Sequence, residues 1–554
     1  MAPLSTKYSS TRYHDTSKQE FFSFEDVVLK GLAEDGGLFH PDSIPSVATK
    51  LTSWQDLAFP DLAFNIMRLY IDESEISNSE LKSIIDKTYS TFRHPDVTPV
   101  VSLDKSKDLH LLELFHGPTF AFKDVALQFL GNLFEFFLVR KNKSLAPGQK
   151  PHHLTVIGAT SGDTGSAAIY GLRGKKDVSI FIMFPDGKVS PVQEAQMTTV
   201  LDPNVHNLAV EGTFDDCQDT VKALFADPEM NKTHHLAAVN SINWARILAQ
   251  ITYYFYAYFS LLRQDAQIGP NPVKFVVPSG NFGDILAGFF AKRMGLPIEK
   301  LVIATNENDI LHRFWQTGTY SKHPVPASEA EGGLPQDGVK AHSDGVKETL
   351  SPAMDILVSS NFERLLWYLQ YDHEVSNDQS ADPAALVHRA GSQVNTWFQE
   401  LKTTGSFSVH PDVLANARRD FTTHRVSDTQ TLETIRSTYK GEIIEKKNYV
   451  LDPHTAIGVA AAIREVSSTT TTTSSSPVRT ISLSTAHPAK FSGAVELALK
   501  DEKEFSFNDS VLPEEFKGLD TAERRVLKVC KEDVRGLKGI RDIIVKEVEK
   551  EKTL

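Results

Sequence analysis

The sequence contains few cysteines and no long apolar run. Its two cysteines, Cys217 and Cys530, are far apart, so they form neither a disulfide framework nor a metal-ligand cluster. Such sparse cysteine usage favours a reducing compartment. The most apolar stretch, Ile247 to Leu262, is interrupted by Gln250 and Ser260 and is too short for a membrane span. It predicts a buried helix.

An excess of basic residues is also lacking. The chain has 58 Lys and Arg against 71 Asp and Glu, a formal charge of -13. A general nucleic-acid binder needs a basic surplus to neutralise phosphates, so the composition argues against that class but not against small anionic substrates in a local pocket. The N-terminal residues lack the apolar core of a secretory signal. We therefore expect a cytoplasmic protein, and the sequence gives no sign of an obligate protein partner or of a metal.

The length of 554 residues exceeds what one hydrophobic core usually serves. The first hundred residues contain helical patterns, including one that begins after Ser23. Beyond them, short apolar strands alternate with glycine turns and helices, which predicts an α/β fold with a mainly parallel sheet. The predicted segments are an α-rich domain 1–100, α/β lobes 101–265 and 266–513, surface insertions 320–347 and 467–476 without a catalytic role, and a solvated amphipathic helical tail 514–554.

The stretch His116 to Leu130, H-G-P-T-F-A-F-K-D-V-A-L-Q-F-L, is a turn that enters an apolar helix with one lysine, Lys123, at its start. Burial and the positive helix N-terminus both disfavour the ammonium form and should lower the pKa of Lys123. A neutral, oriented lysine amine is what Schiff-base chemistry with a carbonyl requires, so Lys123 is a candidate for a covalent role. The alternative is a structural lysine whose stem covers apolar surface while its amine reaches water.

A glycine loop, P-S-G-N-F-G-D from Pro278 to Asp284, follows a valine-rich strand and precedes an apolar helix. Gly280 and Gly283 allow backbone N–H groups to approach an anion, and the helix N-terminus favours negative charge, so a phosphate is the expected ligand. The alternative is a tight turn that needs glycine only for its backbone angles. The loop matches neither G-x-G-x-x-G nor a Walker A motif, which argues against a dinucleotide or a nucleoside triphosphate.

Two further loops offer polar donors. The segment A-T-S-G-D-T-G-S-A-A, Ala159 to Ala168, presents hydroxyl and N–H groups to a second anion, for which a carboxylate is suitable. In N-S-I-N-W-A-R, Asn240 to Arg246, the arginine is placed to clamp a phosphate. The alternative for this segment is an Asn or Ser helix cap followed by an exposed arginine.

A late strand ends in L-S-T-A-H-P-A-K-F, Leu483 to Phe491. Thr485 could offer its hydroxyl to a heteroatom in the site. His487, and His454 in D-P-H-T-A, are of a kind that is more often structural than catalytic.

Taken in chain order, these motifs closely resemble the threonine synthases of the fungal and enterobacterial type. The shared segments are H-G-P-T-F-A-F-K-D, A-T-S-G-D-T-G, N-S-I-N-W-A-R, P-S-G-N-F-G-D, A-T-N-E-N-D and T-L-S-P-A-M-D. The resemblance extends from G-L-A-E-D-G-G-L-F-H-P, beginning at Gly31, to S-T-A-H-P-A-K-F, and excludes the two insertions and the tail. Each motif alone is weak, but six in order are specific.

The resemblance implies a pyridoxal-phosphate enzyme of the tryptophan-synthase-like fold (type II), with two open, mainly parallel α/β lobes. Lys123 would hold the cofactor as an internal aldimine, and Thr485 would face the pyridine nitrogen, where a neutral hydroxyl makes the cofactor a milder electron sink. The loop around the cofactor phosphate would comprise Gly280, Asn281, Phe282, Gly283 and Asp284. The substrate would contact Thr160, Ser161, Asp163 and Thr164 through its carboxylate, and Asn240, Ser241 and Arg246 through its phosphate.

The implied reaction converts O-phospho-L-homoserine and water to L-threonine and phosphate, with Lys123 as general base at Cα and proton carrier at Cβ. Many relatives in this fold carry Asn where this chain has Asp163, whereas threonine synthases of this type commonly have Asp. One alternative is a lyase on the same scaffold that gives 2-oxobutyrate, ammonia and phosphate. Another is a non-catalytic relative that binds the cofactor, although the intact Lys123 and both anion loops argue against it.

Overall fold

The structure is a computed structural model and describes residues 6–13, 21–264, 271–323, 345–469, 478–530, 532–533 and 537–551. Most of the predicted insertion 320–347 and most of 467–476 therefore lie outside the described residues.

The strands in this part of the chain are β1 Tyr8–Ser10, β2 Phe39–Pro41, β3 Val100–Asp104, β4 Leu109–Glu113, β5 Leu154–Ala159, β6 Val178–Pro185, β7 Val205–Val210, β8 Leu236–Ala237, β9 Val273–Pro278, β10 Ile298–Thr305, β11 Thr319–Ser321, β12 Ser406–Ser408, β13 Phe421–Arg425, β14 Arg479–Ser484 and β15 Leu527–Val529.

The helices are α1 Phe24–Lys30, α2 Leu51–Trp54, α3 Phe59–Met67, α4 Asn78–Tyr89, α5 Lys123–Lys143, α6 Asp163–Leu172, α7 Pro191–Thr198, α8 Phe214–Phe225, α9 Pro228–His234, α10 Trp244–Gln264, α11 Gly283–Arg293, α12 Ile310–Thr317, α13 Phe362–Asn377, α14 Pro383–Thr403, α15 Pro411–Asp420, α16 Asp428–Lys440, α17 Pro453–Thr469, α18 Ser492–Leu499, α19 Phe507–Ser510 and α20 Lys538–Glu551.

Two sheets organise the described residues. One has six strands in the order β13, β10, β9, β14, β4, β3, and all neighbours are parallel except β3 and β4. The other has five parallel strands in the order β15, β7, β6, β5, β8. Parallel strands are covered on both faces and so have continuous apolar sequences; every residue of β6 is buried. The predicted α/β fold with mainly parallel strands is confirmed.

The sheets do not follow the predicted boundary at residue 266. Strands β3 and β4, from the predicted lobe 101–265, join the six-stranded sheet through the pairing of β4 with β14. Residues of the predicted domain 1–100, such as Phe24 and Leu62, pack in the same hydrophobic core as Phe129 and Tyr254. The sequence shows the strands only in chain order, whereas hydrogen-bonded pairing decides the sheet to which each strand belongs. The predicted segments therefore do not form separate cores.

The tail is not the solvated helix predicted for 514–554. Leu527–Val529 forms β15 on the edge of the five-stranded sheet beside β7, and α20 follows it. Ile540, Ile544 and Val548, spaced four residues apart, are buried against the core of that sheet. The helix is amphipathic as predicted, but its apolar face packs on the chain's own sheet.

Helix α10 lies at the centre of the main core. Eighteen of its 21 residues are buried, so it is covered on nearly every side. The prediction of a buried helix from Ile247 to Leu262 is confirmed. None of the helices in the described part of the chain meets the length and hydropathy that a membrane span requires.

Candidate active site

Lys123 is the first residue of α5 and follows a tightly held turn. Its side chain is 9% exposed, and burial lowers its pKa from 10.5 to about 8, although the carboxylate of Asp163 acts in the opposite direction. In the turn, Phe120 has a φ of 60°, a left-handed conformation that costs a non-glycine residue about 1–2 kcal/mol. The turn is held by Asp124, which accepts from the N–H of Thr119 at 2.8 Å and from its hydroxyl at 2.7 Å. Lys123 is therefore a buried amine in a fixed place and not a surface lysine.

The end of β14 lies directly against this turn. The N–H of Phe122 donates to the carbonyl of Thr485 at 2.7 Å, and Ala121 forms an isolated bridge with Ala486. The Thr485 side chain is 6% exposed. The structure therefore brings Thr485 to the turn of Lys123, although the two residues are 362 positions apart in the chain.

The glycine loop from Gly280 to Gly283 joins β9 to α11 with a strained backbone, since Phe282 has a φ of 63°. A Cβ on Gly280 would lie 3.0 Å from the Cα of Met354, so glycine is required where the two segments meet. The loop carbonyls are bonded by the next segment: Ser359 donates to Gly280 O and Asn361 N–H to Asn281 O. Among the described residues, the N–H groups of the loop have no acceptor, which leaves them for a ligand.

Asp284 has partners that the sequence did not indicate. Its Oδ1 accepts from the hydroxyls of Tyr253 at 2.5 Å and Tyr254 at 2.9 Å, both on α10. Burial raises its pKa to about 6, and Oδ2 is buried without a partner among the described residues. Asp284 thus joins α11 to α10, and its contact with a cofactor phosphate stays a prediction.

Arg246 is buried in the first turn of α10. Its Nε and Nη1 atoms have no hydrogen-bond partner among the described residues, and burial lowers its pKa from 12.5 to about 10. A buried guanidinium without an acceptor is costly unless an anion binds it. The alternative of an exposed arginine is therefore wrong.

The neighbours of Arg246 differ in their placement. Asn243 caps α10 by accepting from Ala245 N–H and donates to Val28 O of α1 at 2.9 Å, so the capping interpretation holds for this residue. The carbonyl of Ser241 accepts from Asn361, whereas Asn240 is exposed. Of the predicted substrate-phosphate residues, only Arg246 is thus a buried donor with unpaired atoms in the described structure.

In the loop before α6, the Thr160 hydroxyl accepts from the N–H groups of Gly162 and Gly165, both at 2.9 Å, and so shapes the loop. Ser161 is exposed and Thr164 is half-buried. Asp163 is buried and pairs with Lys490 at 2.9 Å. Although burial alone would raise it, the ammonium groups of Lys490 and Lys123 hold the pKa of Asp163 well below its usual range.

Both histidines singled out in the sequence have structural partners. His454 bonds Asp452 through Nδ1 at 3.0 Å and accepts from the N–H of Ala353 through Nε2 at 3.2 Å, which supports the turn that covers Gly280. His487 accepts from Ala489 N–H, and burial lowers its pKa to about 4, so it is uncharged at neutral pH. The structural interpretation fits both.

Sequence reasoning missed three residues that join these segments. Asn361 donates to the carbonyls of Ser241 and Asn281, and Arg364, fully buried, donates to Ile242 O. Their segment, S-S-N-F-E-R, gives no chemical signal. Lys490 is different, since it stands between Ala489 and Phe491, and the argument applied to Lys123 would have found it.

Models of three protein families match the chain. They are described as "Threonine synthase N terminus" over residues 7–89, "Pyridoxal-phosphate dependent enzyme" over residues 92–355, and "Threonine synthase, C-terminal" over residues 455–540. The three matches follow one another along the chain, with residues 356–454 between the second and the third.

Similar proteins cover nearly the whole chain. The threonine synthase of Schizosaccharomyces pombe is 54% identical over 537 residues, which are 97% of this chain and 98% of that protein. That of Saccharomyces cerevisiae is 53% identical over 544 residues, with the same coverage of 97% and 98%.

Two solved structures share the fold. The crystal structure of threonine synthase from yeast has a TM-score of 0.87 at 52% identity and covers 99% of both chains. A pyridoxal-phosphate-bound threonine synthase from Brucella melitensis has a TM-score of 0.79 at 38% identity and covers 98% of this chain and 99% of its own. The implied fold of pyridoxal-phosphate enzymes is therefore confirmed, and the chain belongs to the threonine synthase family of pyridoxal-phosphate-dependent enzymes.

Proposed function

We propose that this protein converts O-phospho-L-homoserine and water to L-threonine and phosphate. The observation that carries the proposal is that two cationic side chains with different chemistry, Lys123 and Arg246, are both buried in the candidate site. Lys123 has a pKa lowered to about 8, and Arg246, whose charge contributes to that lowering, has two nitrogens without a partner among the described residues. An amine that is readily neutral beside a guanidinium that lacks an anion suits an amino acid that carries a phosphate.

The residues present fit pyridoxal phosphate. An aldehyde requires a primary amine, which Lys123 supplies. A phosphate requires N–H donors at a helix N-terminus, and the unbonded N–H groups from Gly280 to Gly283 at the start of α11 supply them. A pyridine nitrogen that stays unprotonated suits a neutral partner such as a threonine hydroxyl, and Thr485 lies against the Lys123 turn, where its carbonyl accepts from the N–H of Phe122.

When bound, pyridoxal phosphate delocalises the electron pair left at Cα of an amino acid. Lys123 Nζ, once neutral, removes the Cα proton and then a Cβ proton, so that the phosphate can leave from Cγ. Protons return at Cγ and Cα, water adds its hydroxyl at Cβ, and the fixed turn keeps the amine within reach of these atoms. Arg246 holds the substrate phosphate, with Asn240 and Ser241 beside it. The loop of Thr160, Ser161, Asp163 and Thr164 receives the carboxylate. Burial around Lys123 excludes bulk water and keeps the amine available as a base.

We also propose a cytoplasmic location, a small-molecule substrate as the principal partner, and no catalytic role for residues 320–347 and 467–476. The low cysteine content supports the location.

The deciding assay incubates the purified protein with O-phospho-L-homoserine and measures phosphate, L-threonine and 2-oxobutyrate together. We expect threonine and phosphate in equal amounts. Phosphate with an equal amount of 2-oxobutyrate and no threonine would overturn the proposal in favour of a lyase. If phosphate, threonine and 2-oxobutyrate all fail to appear, the protein would be a non-catalytic relative.

A matched pair of lysine variants tests the role of Lys123. Lys175 also has a pKa lowered to about 8 by burial, but it pairs with Glu135 and Asn132, away from the anion loops. Lys123→Ala should lose activity and the borohydride-fixed attachment of the cofactor, whereas Lys175→Ala should keep both. Attachment that survives in Lys123→Ala would exclude Lys123 as the cofactor lysine.

A further inference from the structure

Lys490 is a fully buried lysine that the proposed chemistry does not use. Its side chain has no exposed surface. Its Nζ bonds Asp163 Oδ1 at 2.9 Å and the carbonyl of Thr119 at 2.8 Å, and lies 3.5 Å from Ser166 Oγ. An ammonium buried so completely requires a compensating anion, and Asp163 supplies it.

These contacts join three segments of the candidate site. Lys490 belongs to the turn that follows Thr485, Thr119 to the turn that precedes Lys123, and Asp163 and Ser166 to the start of α6. On the other side of Asp163, Gln193 Nε2 of α7 donates to the same Oδ1 at 2.9 Å. The carboxylate is thus fixed by two donors from different elements.

Asp163 poses an electrostatic difficulty in a loop that receives a carboxylate. An unpaired buried anion there would repel the substrate's carboxylate and would hold a proton on the nitrogen of Lys123. The pair with Lys490 is neutral overall, so it weakens both effects while leaving the side-chain oxygen in place. Further charged or titratable groups act on Lys123 and Asp163. Arg246 disfavours a proton on Lys123 and Asp124 favours one, while His454 favours the ionised form of Asp163.

We infer that Lys490 is a positioning residue that neutralises Asp163, so that the loop before α6 accepts a carboxylate while it stays docked on the Lys123 turn. This inference rests on the proposed function, because it takes Lys123 as the cofactor lysine and the Asp163 loop as the carboxylate site. It assigns Lys490 no direct contact with substrate or cofactor.

The test compares Lys490→Met, Asp163→Asn and the double variant in the cofactor-loaded protein. The first readout is the pH midpoint at which the absorption band of the bound cofactor shifts, which follows the proton at the Lys123 nitrogen. Lys490→Met should raise this midpoint by about one pH unit, a tenfold change in the protonation ratio, because it leaves the negative charge unbalanced. Asp163→Asn should lower it, and the double variant should fall near the wild-type value.

The second readout separates binding from turnover. Lys490→Met should raise KM for O-phospho-L-homoserine about tenfold or more, and the double variant should recover most of that loss because it has no excess charge. The control is Lys517→Met, which breaks an exposed ion pair with Glu514 in the same C-terminal region and should change neither readout.

A midpoint that is unchanged or lowered in Lys490→Met would overturn the inference, as would a double variant no better than Lys490→Met in KM. If Lys490→Met does not fold, the comparison of Asp163→Asn with the double variant decides. A pH midpoint of the absorption shift in Asp163→Asn that is equal to or above that of the double variant would overturn the inference. Failure of the proposed function is recognised separately, since cofactor attachment would then persist in Lys123→Ala.

Discussion

Replacing Arg246 by methionine should strengthen the ligand-free fold and at the same time abolish phosphate binding at this position. Methionine keeps the apolar stem in the packed first turn of α10 but removes a guanidinium that is 4% exposed. Because Nε and Nη1 have no partner among the described residues, the substitution breaks no hydrogen bond at those atoms. The two effects therefore have one physical cause.

The size of the effect can be worked out in two ways. A buried donor without an acceptor costs about 1–3 kcal/mol. Independently, a pKa lowered from 12.5 to about 10 corresponds to about 3 kcal/mol of lost stability at pH 7, where the group is charged in both the folded and the unfolded chain. This cost is present below pH 10 and disappears as the pH rises toward 12.5. We expect Arg246→Met to raise the free energy of unfolding of the ligand-free protein by about 1–3 kcal/mol.

The assay measures urea unfolding of the cofactor-free protein with and without inorganic phosphate. At a phosphate concentration one hundred times the dissociation constant of the Arg246 site, this site should add about 2.7 kcal/mol in the wild-type protein and almost nothing in Arg246→Met, whereas any gain from phosphate at the loop Gly280 to Gly283 should be the same in both. The matched control is Arg263→Met at the other end of α10. Arg263 donates to Gln55 O and to Ser260 Oγ, so its removal should lower stability by about 1 kcal/mol and leave the phosphate effect intact.

Arg246→Met that loses as much stability as Arg263→Met would show that the guanidinium has structural partners and is not held for a ligand. An unchanged phosphate effect in Arg246→Met would place the anion elsewhere. Either result would refute the reasoning.

Three further predictions concern other parts of the molecule. Because a neutral amine is required and the pKa of Lys123 is lowered to about 8, the rate of cofactor attachment to the cofactor-free protein, followed by absorbance, should rise with pH through 8, with about one tenth of the maximum at pH 7. Burial raises the pKa of Asp284 from 3.8 to about 6, so its ionised form costs stability at higher pH; Asp284→Asn should raise the urea midpoint at pH 8 by the equivalent of about 2–3 kcal/mol, and less at pH 5. Ile544→Ala in α20 should cost about 2–5 kcal/mol in the same measurement, whereas Val545→Ala at an exposed position should cost less than 1 kcal/mol; equal losses would contradict the packing of the tail.

The sequence predicted best those features that depend on local pattern. Strands β5, Leu154–Ala159, and β7, Val205–Val210, are short apolar runs between turns, and this is the pattern that predicts buried parallel strands. Helix α1 begins after Ser23, whose side chain and that of Asp26 form a capping box. Each of these signals lies within a few residues of the element that it specifies.

Features that depend on pairing between distant segments could not be predicted. Leu527–Val529 is too short to show an alternating pattern, and only the free edge of β7 makes it a strand. In the same way, Lys123 and Thr485 could be named from their motifs, but not the hydrogen bond that joins their turns. The sequence does not mark Asn361 as a link between two loops, since an asparagine before a helix is usually interpreted as a cap.

The N-terminal hundred residues, for which the sequence indicated no chemistry, have a structural connection to the substrate-phosphate loop. Arg364, fully buried, donates through Nε to Phe39 O at 2.7 Å and through Nη2 to Ile242 O at 2.6 Å, while Asn243 donates to Val28 O. The Nη1 of Arg364 donates to Asn361 Oδ1 at 2.5 Å. A buried arginine bonded in this way fixes the segments that carry its acceptors, because each broken bond would leave a buried donor without an acceptor. Arg364 and Arg246 thus show two uses of a buried guanidinium: one has backbone acceptors and fixes the loop, and the other, with Nε and Nη1 unpaired, is held in that loop for an anion.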